Sequence, residues 1–169
     1  METMFMEKIA AVLVASDSRS TNERVELSGP AAREALEALS IGVAEVAVVP
    51  DEIDALAGKL TEWSAREDIV LVLTSGGTGL GPRDVTPEAT RRVIEREAPG
   101  IPEMLRMRSL EITPHAALSR AVAGVANRTL IINLPGSPRA VKESIEFLAP
   151  ALPHALETVA GRAVECARK

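Results

Sequence analysis

Residues 69–84 read IVLVLTSGGTGLGPRD, and the order of residue types in that stretch decides the fold. Ile69 to Thr74 is a continuous aliphatic run, too short for a buried helix, and reads as a strand covered on both faces. It runs straight into Ser75-Gly76-Gly77-Thr78-Gly79-Leu80-Gly81-Pro82-Arg83-Asp84. Thr86-Pro87-Glu88 then supplies an N-cap, a proline at the first helical position and an acid against the positive end of the helix dipole. A strand therefore passes through a glycine loop into a helix expected to continue to about Glu97.

Outward from this centre the pattern repeats. Upstream, Ile9 to Ser16 (IAAVLVAS) is another buried strand, and Ser28-Gly29-Pro30 opens a helix with Ala32, Ala35, Leu36 and Leu39 on one face. Val43 to Val49 is a strand, and Ile53, Leu56, Leu60 and Trp63 recur at helical intervals. Downstream, a short helical segment contains Met104 to Met107, and Thr113-Pro114 opens another through Arg120. Thr129 to Leu134 (TLIINL) is a strand ending in Pro135-Gly136-Ser137-Pro138, and the rest is helical, divided by Pro150 and Pro153. Aliphatic strands alternating with helices imply right-handed crossovers and a mostly parallel sheet. The expected fold is a three-layer α/β/α sandwich, with residues 1–169 forming a single domain. Open sheets of this kind bind ligands beyond the carboxyl ends of their strands, so the loops after Ser16, Val49, Thr74 and Leu134 matter most.

Composition narrows the classes of function. With 19 basic and 24 acidic residues the formal charge is −5, which is not the basic balance that tracks nucleic-acid phosphates. Aromatic residues make up only 2%, so the core is aliphatic and offers no stacking platforms for bases. Cys166 is the only cysteine, which excludes an intrachain disulfide and a cysteine-rich zinc cluster. The apolar run Ile9 to Ala15 is too short for a membrane span and is preceded by two glutamates rather than a cationic region. A cytoplasmic protein with no membrane or nucleic-acid partner is the expectation. His115 and His154 have no second ligand at metal spacing, and no Gly-x-Ser-x-Gly elbow is present.

The chemistry concentrates at the strand ends. Gly76, Gly77, Gly79 and Gly81 lie between a strand and a helix start, where positive φ angles and free N–H groups build an anion cradle. A Walker loop needs lysine at position 82 and the dinucleotide fingerprint needs glycine there; Pro82 defeats both. The alternative is that the glycines only make a tight turn. Asp51 and Asp84 each follow a strand and are expected in the same crevice, where carboxylates beside an anion cradle make sense if they hold a hard cation such as Mg²⁺. Their alternatives are structural: Asp51 capping the following helix, Asp84 pairing with Arg83 or ordering the turn before Thr86. Ser16-Asp17-Ser18-Arg19-Ser20 and Asn133 to Pro138 offer further polar groups at strand ends, while Ser119-Arg120 carries only the weak signal of an arginine at a helix end.

These residues resemble the molybdopterin-binding Mog/MoaB family. The likeness lies in Thr74-Ser75-Gly76-Gly77-Thr78-Gly79 and Pro82-Arg83-Asp84-Val85-Thr86-Pro87-Glu88-Ala89. It continues through Ala98-Pro99-Gly100, Thr113-Pro114, Leu118-Ser119-Arg120, Leu130 to Ser137 and Pro150 to Ala155, with Ser16-Asp17-Ser18, Ser28-Gly29 and Pro50-Asp51-Glu52 upstream. The resemblance implies an enzyme of molybdenum-cofactor biosynthesis that uses Mg²⁺ and ATP to adenylylate molybdopterin, releasing pyrophosphate. It implies Asp51 and Asp84 as the catalytic, metal-holding acids and Ser75, Gly76, Gly77, Thr78 and Gly79 as the phosphate cradle. Asp17, Ser18, Gly136 and Ser137 fall where members of the family line the same crevice. Glu26 stands where members often carry aspartate. The competing reading within the family is a MoaB-like molybdopterin binder with little turnover, and from another class a non-enzymatic scaffold module. A homotrimer or larger homo-oligomer, working with other molybdenum-cofactor biosynthesis proteins, is expected by the same analogy.

Overall fold

The computed structural model describes residues 9–17 and 26–161; Ser18, Arg19, Ser20 and Cys166 lie outside the described residues. Its elements are β1 (Ile9–Ala15), α1 (Ser28–Ala38), β2 (Gly42–Val49), α2 (Ile53–Ser64), β3 (Ile69–Ser75), α3 (Thr86–Arg91), β4 (Arg96–Glu97), α4 (Gly100–Leu110), a 3₁₀ turn (Pro114–Leu118), β5 (Ala123–Ala126), β6 (Thr129–Leu134), α5 (Pro138–Leu148) and α6 (Leu152–Val159). One six-stranded sheet runs β2-β1-β3-β6-β5-β4. The β1–β2, β1–β3 and β3–β6 pairs are parallel, and β5 is antiparallel to both β6 and β4. The mostly parallel sandwich read from the sequence is thus the architecture.

Period-2 alternation divides the central strands between two cores. On one face Val12, Val14, Leu71, Leu73, Ile132 and Leu134 pack with α1, α5 and α6 through Leu36, Ile145, Leu152 and Leu156. On the other, Ala11, Leu13, Val72 and Ile131 meet Leu56, Leu60 and Trp63 of α2 and Ala89 of α3. Trp63 is fully buried, and its indole N–H donates to Glu45 Oε2 at 3.0 Å. Among the described residues no helix is long and apolar enough to cross a membrane.

The sequence expectation fails beyond Arg91. The helix expected to reach Glu97 stops there, and the N–H groups of Val93 and Ile94 both donate to Thr90 O. Val93 and Ile94 then pack on the second core, and Glu95 N–H and Ala98 N–H donate to Val125 O and Ala123 O. Edge pairing with a neighbouring strand outcompetes two more helical turns there. Gly124 permits it, because a Cβ at that position would lie 2.6 Å from Arg96 O and 2.7 Å from Ile94. Strand β5 itself, Ala-Gly-Val-Ala, is too short and too small-residued to announce itself in sequence. The segment expected to be helical through Arg120 is a 3₁₀ turn ending at Leu118, begun by His115 N–H donating to the Thr113 hydroxyl at 3.3 Å.

Candidate active site

The parallel strands β1, β2, β3 and β6 end together, so the turns that follow them meet. Asp17 and Asp51 pair reciprocally: Asp17 N–H donates to Asp51 Oδ2 at 3.0 Å, and Asp51 N–H to Asp17 Oδ1 at 2.9 Å. Arg83 forks onto both Asp17 oxygens at 3.0 and 2.9 Å. That guanidinium, helped by the Asp51 N–H, holds the Asp17 carboxyl below its ordinary pKa. Asp51 moves the other way. Burial raises its pKa, and the negative charges of Asp17 and Asp84 raise it further, against the pull of the Asp17 N–H and Arg83. Asp51 does not cap α2: Glu52 occupies the N-cap, with no side-chain bond into the helix.

Asp84 Oδ2 accepts the Gly81 N–H at 2.8 Å, so the carboxylate orders its own turn, while Arg83 pairs with Asp17 rather than with Asp84. One oxygen of each acid, Asp51 Oδ2 and Asp84 Oδ2, therefore fixes the loops. Asp51 Oδ1 faces the glycine loop, 3.2 Å from where a Gly77 Cβ would stand. The same Cβ would lie 2.3 Å from Thr86 Oγ1, a buried hydroxyl with no protein partner among the described residues. Two oxygens thus converge over Gly77.

The loop needs glycine for defined reasons. Gly76 has φ +93° and an added Cβ would meet Ala15 O at 2.6 Å; Gly77 has φ +65°. Gly136 packs against Gly76, whose Cα would lie 3.2 Å from a Cβ there. The Gly76 N–H donates to Leu134 O, and the buried Ser75 hydroxyl to Pro135 O at 3.1 Å, tying the β3 and β6 ends together. By contrast, the N–H groups of Gly77, Thr78, Gly79 and Leu80 have no protein acceptor among the described residues. Consecutive unpaired amides at a strand end form an anion-binding nest.

Other strand-end polar groups make hydrogen bonds within the fold. Ser137 caps α5 by accepting the Ala140 N–H at 3.1 Å. The buried Asn133 amide donates to the Thr74 and Thr90 hydroxyls and accepts the Val122 N–H. Glu26 accepts the Ser28 and Gly29 N–H groups at 2.6 and 2.8 Å, so the longer acid starts α1. Arg120, read from sequence as a helix-end arginine, instead grips the glycine loop. Its Nε donates to Gly79 O at 2.7 Å, Nη2 to Asp84 O, Nη1 to Glu88 Oε1, and its own N–H to Thr78 O at 2.8 Å. No spacing rule could find it, since Gly79 and Arg120 are brought together only by the fold. A cleft of about 380 Å³ lined by Met104, Leu130, Ile132 and Leu152 is apolar and lies toward the start of β6, away from these groups.

Comparison with known proteins bears on the family and the fold. Residues 11–154 match the family described as probable molybdopterin binding domain. The chain is 41% identical over 166 residues to the molybdenum cofactor synthesis protein cinnamon of Drosophila melanogaster, covering 97% of this chain but 28% of that longer protein. It is 39% identical over 160 residues to a molybdopterin adenylyltransferase of Helicobacter pylori, covering 94% of this chain and 91% of that one. The crystal structure of the molybdopterin biosynthesis enzyme MoaB from Thermus thermophilus superposes with a TM-score of 0.86 at 47% identity, covering 94% of this chain and 99% of the other. The chain belongs to the molybdopterin-binding domain family.

Proposed function

We propose that this protein binds molybdopterin and, with ATP and Mg²⁺, transfers an adenylyl group to its terminal phosphate during molybdenum-cofactor biosynthesis. The observation that carries the reading is the row of unpaired amides from Gly77 to Leu80, set between Asp51 and Asp84 at the open end of the sheet. The name of the Helicobacter pylori relative, which the chain matches over nearly its whole length, supports it.

The substrate phosphate is already a nucleophile, so the reaction needs alignment and charge neutralisation more than a strong base. A bond forms between a molybdopterin phosphate oxygen and the α-phosphorus of ATP as the α–β bridging bond breaks, and pyrophosphate leaves. The amides of Gly77, Thr78, Gly79 and Leu80 hold a phosphate group by hydrogen bonds that add no net charge. In this reading Asp17, Gly136 and Ser137 would line the same crevice.

The residues fit a magnesium ion. Asp51 and Asp84 each have an oxygen outside their structural hydrogen bonds, and a cation there would offset the burial that chiefly raises the Asp51 pKa together with the added repulsion from Asp17 and Asp84. An ion held by Asp51 and Asp84 would take the rest of its shell from phosphates and water. When bound, Mg²⁺ neutralises the charge that develops on the leaving pyrophosphate. Incubation with molybdopterin, ATP and Mg²⁺ should yield adenylylated molybdopterin and pyrophosphate in equal amounts. Tight pterin binding with no product would instead assign the MoaB-like binding role.

A further inference from the structure

We propose that Arg120 is a positioning residue that sets the donor face of the glycine loop, holding the loop carbonyls on one side so that the amides face the phosphate on the other. The inference deepens the proposed function and rests on it.

In a planar trans peptide the C=O and the N–H of the next residue point in opposite directions. Anchoring a carbonyl therefore aims an amide. Arg120 N–H anchors Thr78 O, which turns the Gly79 N–H away, and Arg120 Nε anchors Gly79 O, which does the same for Leu80 N–H. These are two of the amides without a protein acceptor among the described residues. Nη2 anchors Asp84 O, so the same guanidinium fixes the backbone of a proposed cation-holding acid. Glycines at 76, 77, 79 and 81 leave this loop with more conformational freedom than any other residue would. Without an outside clamp, flipped peptides would present carbonyls to an anion.

Arg120 is not placed as a ligand of that anion. Its Nη1 is bound to Glu88, whose carboxyl the guanidinium holds below its ordinary pKa, so the pair is close to neutral. A lysine could not reproduce the fork, since an ammonium lacks the rigid planar donor pattern that reaches Gly79 O, Asp84 O and Glu88 at once.

The test measures binding of inorganic pyrophosphate by calorimetry, alongside adenylylation kinetics, for wild type, Arg120→Lys and Arg120→Gly. We expect Arg120→Lys to stay folded and to bind pyrophosphate at least threefold more weakly, and Arg120→Gly at least tenfold. The expected kinetic mark is a rise in KM larger than the fall in kcat. Millimolar ethylguanidinium should restore binding to Arg120→Gly and leave the wild type unchanged, a rescue that a general packing role would not show. Arg120→Lys binding as tightly as wild type, or Arg120→Gly left unrescued while folded, overturns the inference and leaves the proposed function standing. A wild type that neither binds pyrophosphate nor adenylylates molybdopterin overturns both.

Discussion

Asp51 and Asp84 each commit one oxygen to holding a loop, and their substitutions should separate stability from turnover. Asp84→Asn keeps an oxygen to accept the Gly81 N–H, so folding stability should stay within roughly 0.5 kcal/mol while turnover is abolished. An assay at near wild-type rate would remove Asp84 from the proposed chemistry. Asp51 has a raised pKa in the folded state, so that state binds more protons than the unfolded chain from about the ordinary aspartate value of 3.8 upward to the folded value. By linkage its stability falls as pH rises through that window, and the penalty persists above it. Asp51→Asn should therefore melt higher at neutral pH, by 2–4 °C for about each kcal/mol of penalty removed, with the advantage vanishing in acid. The same variant should lose Mn²⁺ binding in titrations. Gly77→Ala would place a methyl group against Thr86 Oγ1 at a positive φ, and we expect urea unfolding to show a loss of about 2–4 kcal/mol. The acids and glycines were legible in sequence because their spacing from strand ends is local. Arg120 was legible only as part of the family-like Leu118-Ser119-Arg120; its loop partners were not, because they are distant in the chain.

At the scale of elements, Asn133 joins four pieces of the fold. From β6 it reaches Thr74 at the end of β3, Thr90 in α3 and Val122 just before β5, all buried. Asn133→Ala would leave two hydroxyls and an amide without this partner, so a loss on the order of 3 kcal/mol should appear in denaturant unfolding. Wild-type stability in that variant would show that the network can re-pair. The β4–β5 edge tests the limit of sequence reading. Helix α3 was legible from Thr86-Pro87-Glu88, but its end was not, because Val93 and Ile94 leave the helix to pack under a strand that lies far along the chain. Gly124→Val should break that pairing, and amide exchange should quicken at Glu95 and Ala98 while Gly76 exchange is unchanged.

For the whole molecule, the sheet makes two aliphatic cores mutually dependent, since the same strands supply both. Trp63 reports on one core and far-UV circular dichroism on the helices of both layers, so their unfolding transitions should coincide. Met107, Leu110, Ile112 and Leu118 are exposed along α4 and the turn after it, and the homo-oligomer expected from the family resemblance would cover such a face. Light scattering should then give a multiple of 17.9 kDa, and a monomer at micromolar concentration would refute that expectation. By itself the sequence determined the aliphatic strands, their alternation with helices, the glycine loop and the acids at the strand ends, because each is encoded in residue types a few positions apart. Only the tertiary structure decided which oxygens of Asp51 and Asp84 are taken by structural hydrogen bonds, that Asn133 ties strands to a helix while Ser137 caps α5, and that Arg120 clamps the loop. Those outcomes depend on hydrogen-bond competition among groups separated by tens of residues, and such competition is resolved only when the sheet has brought them together.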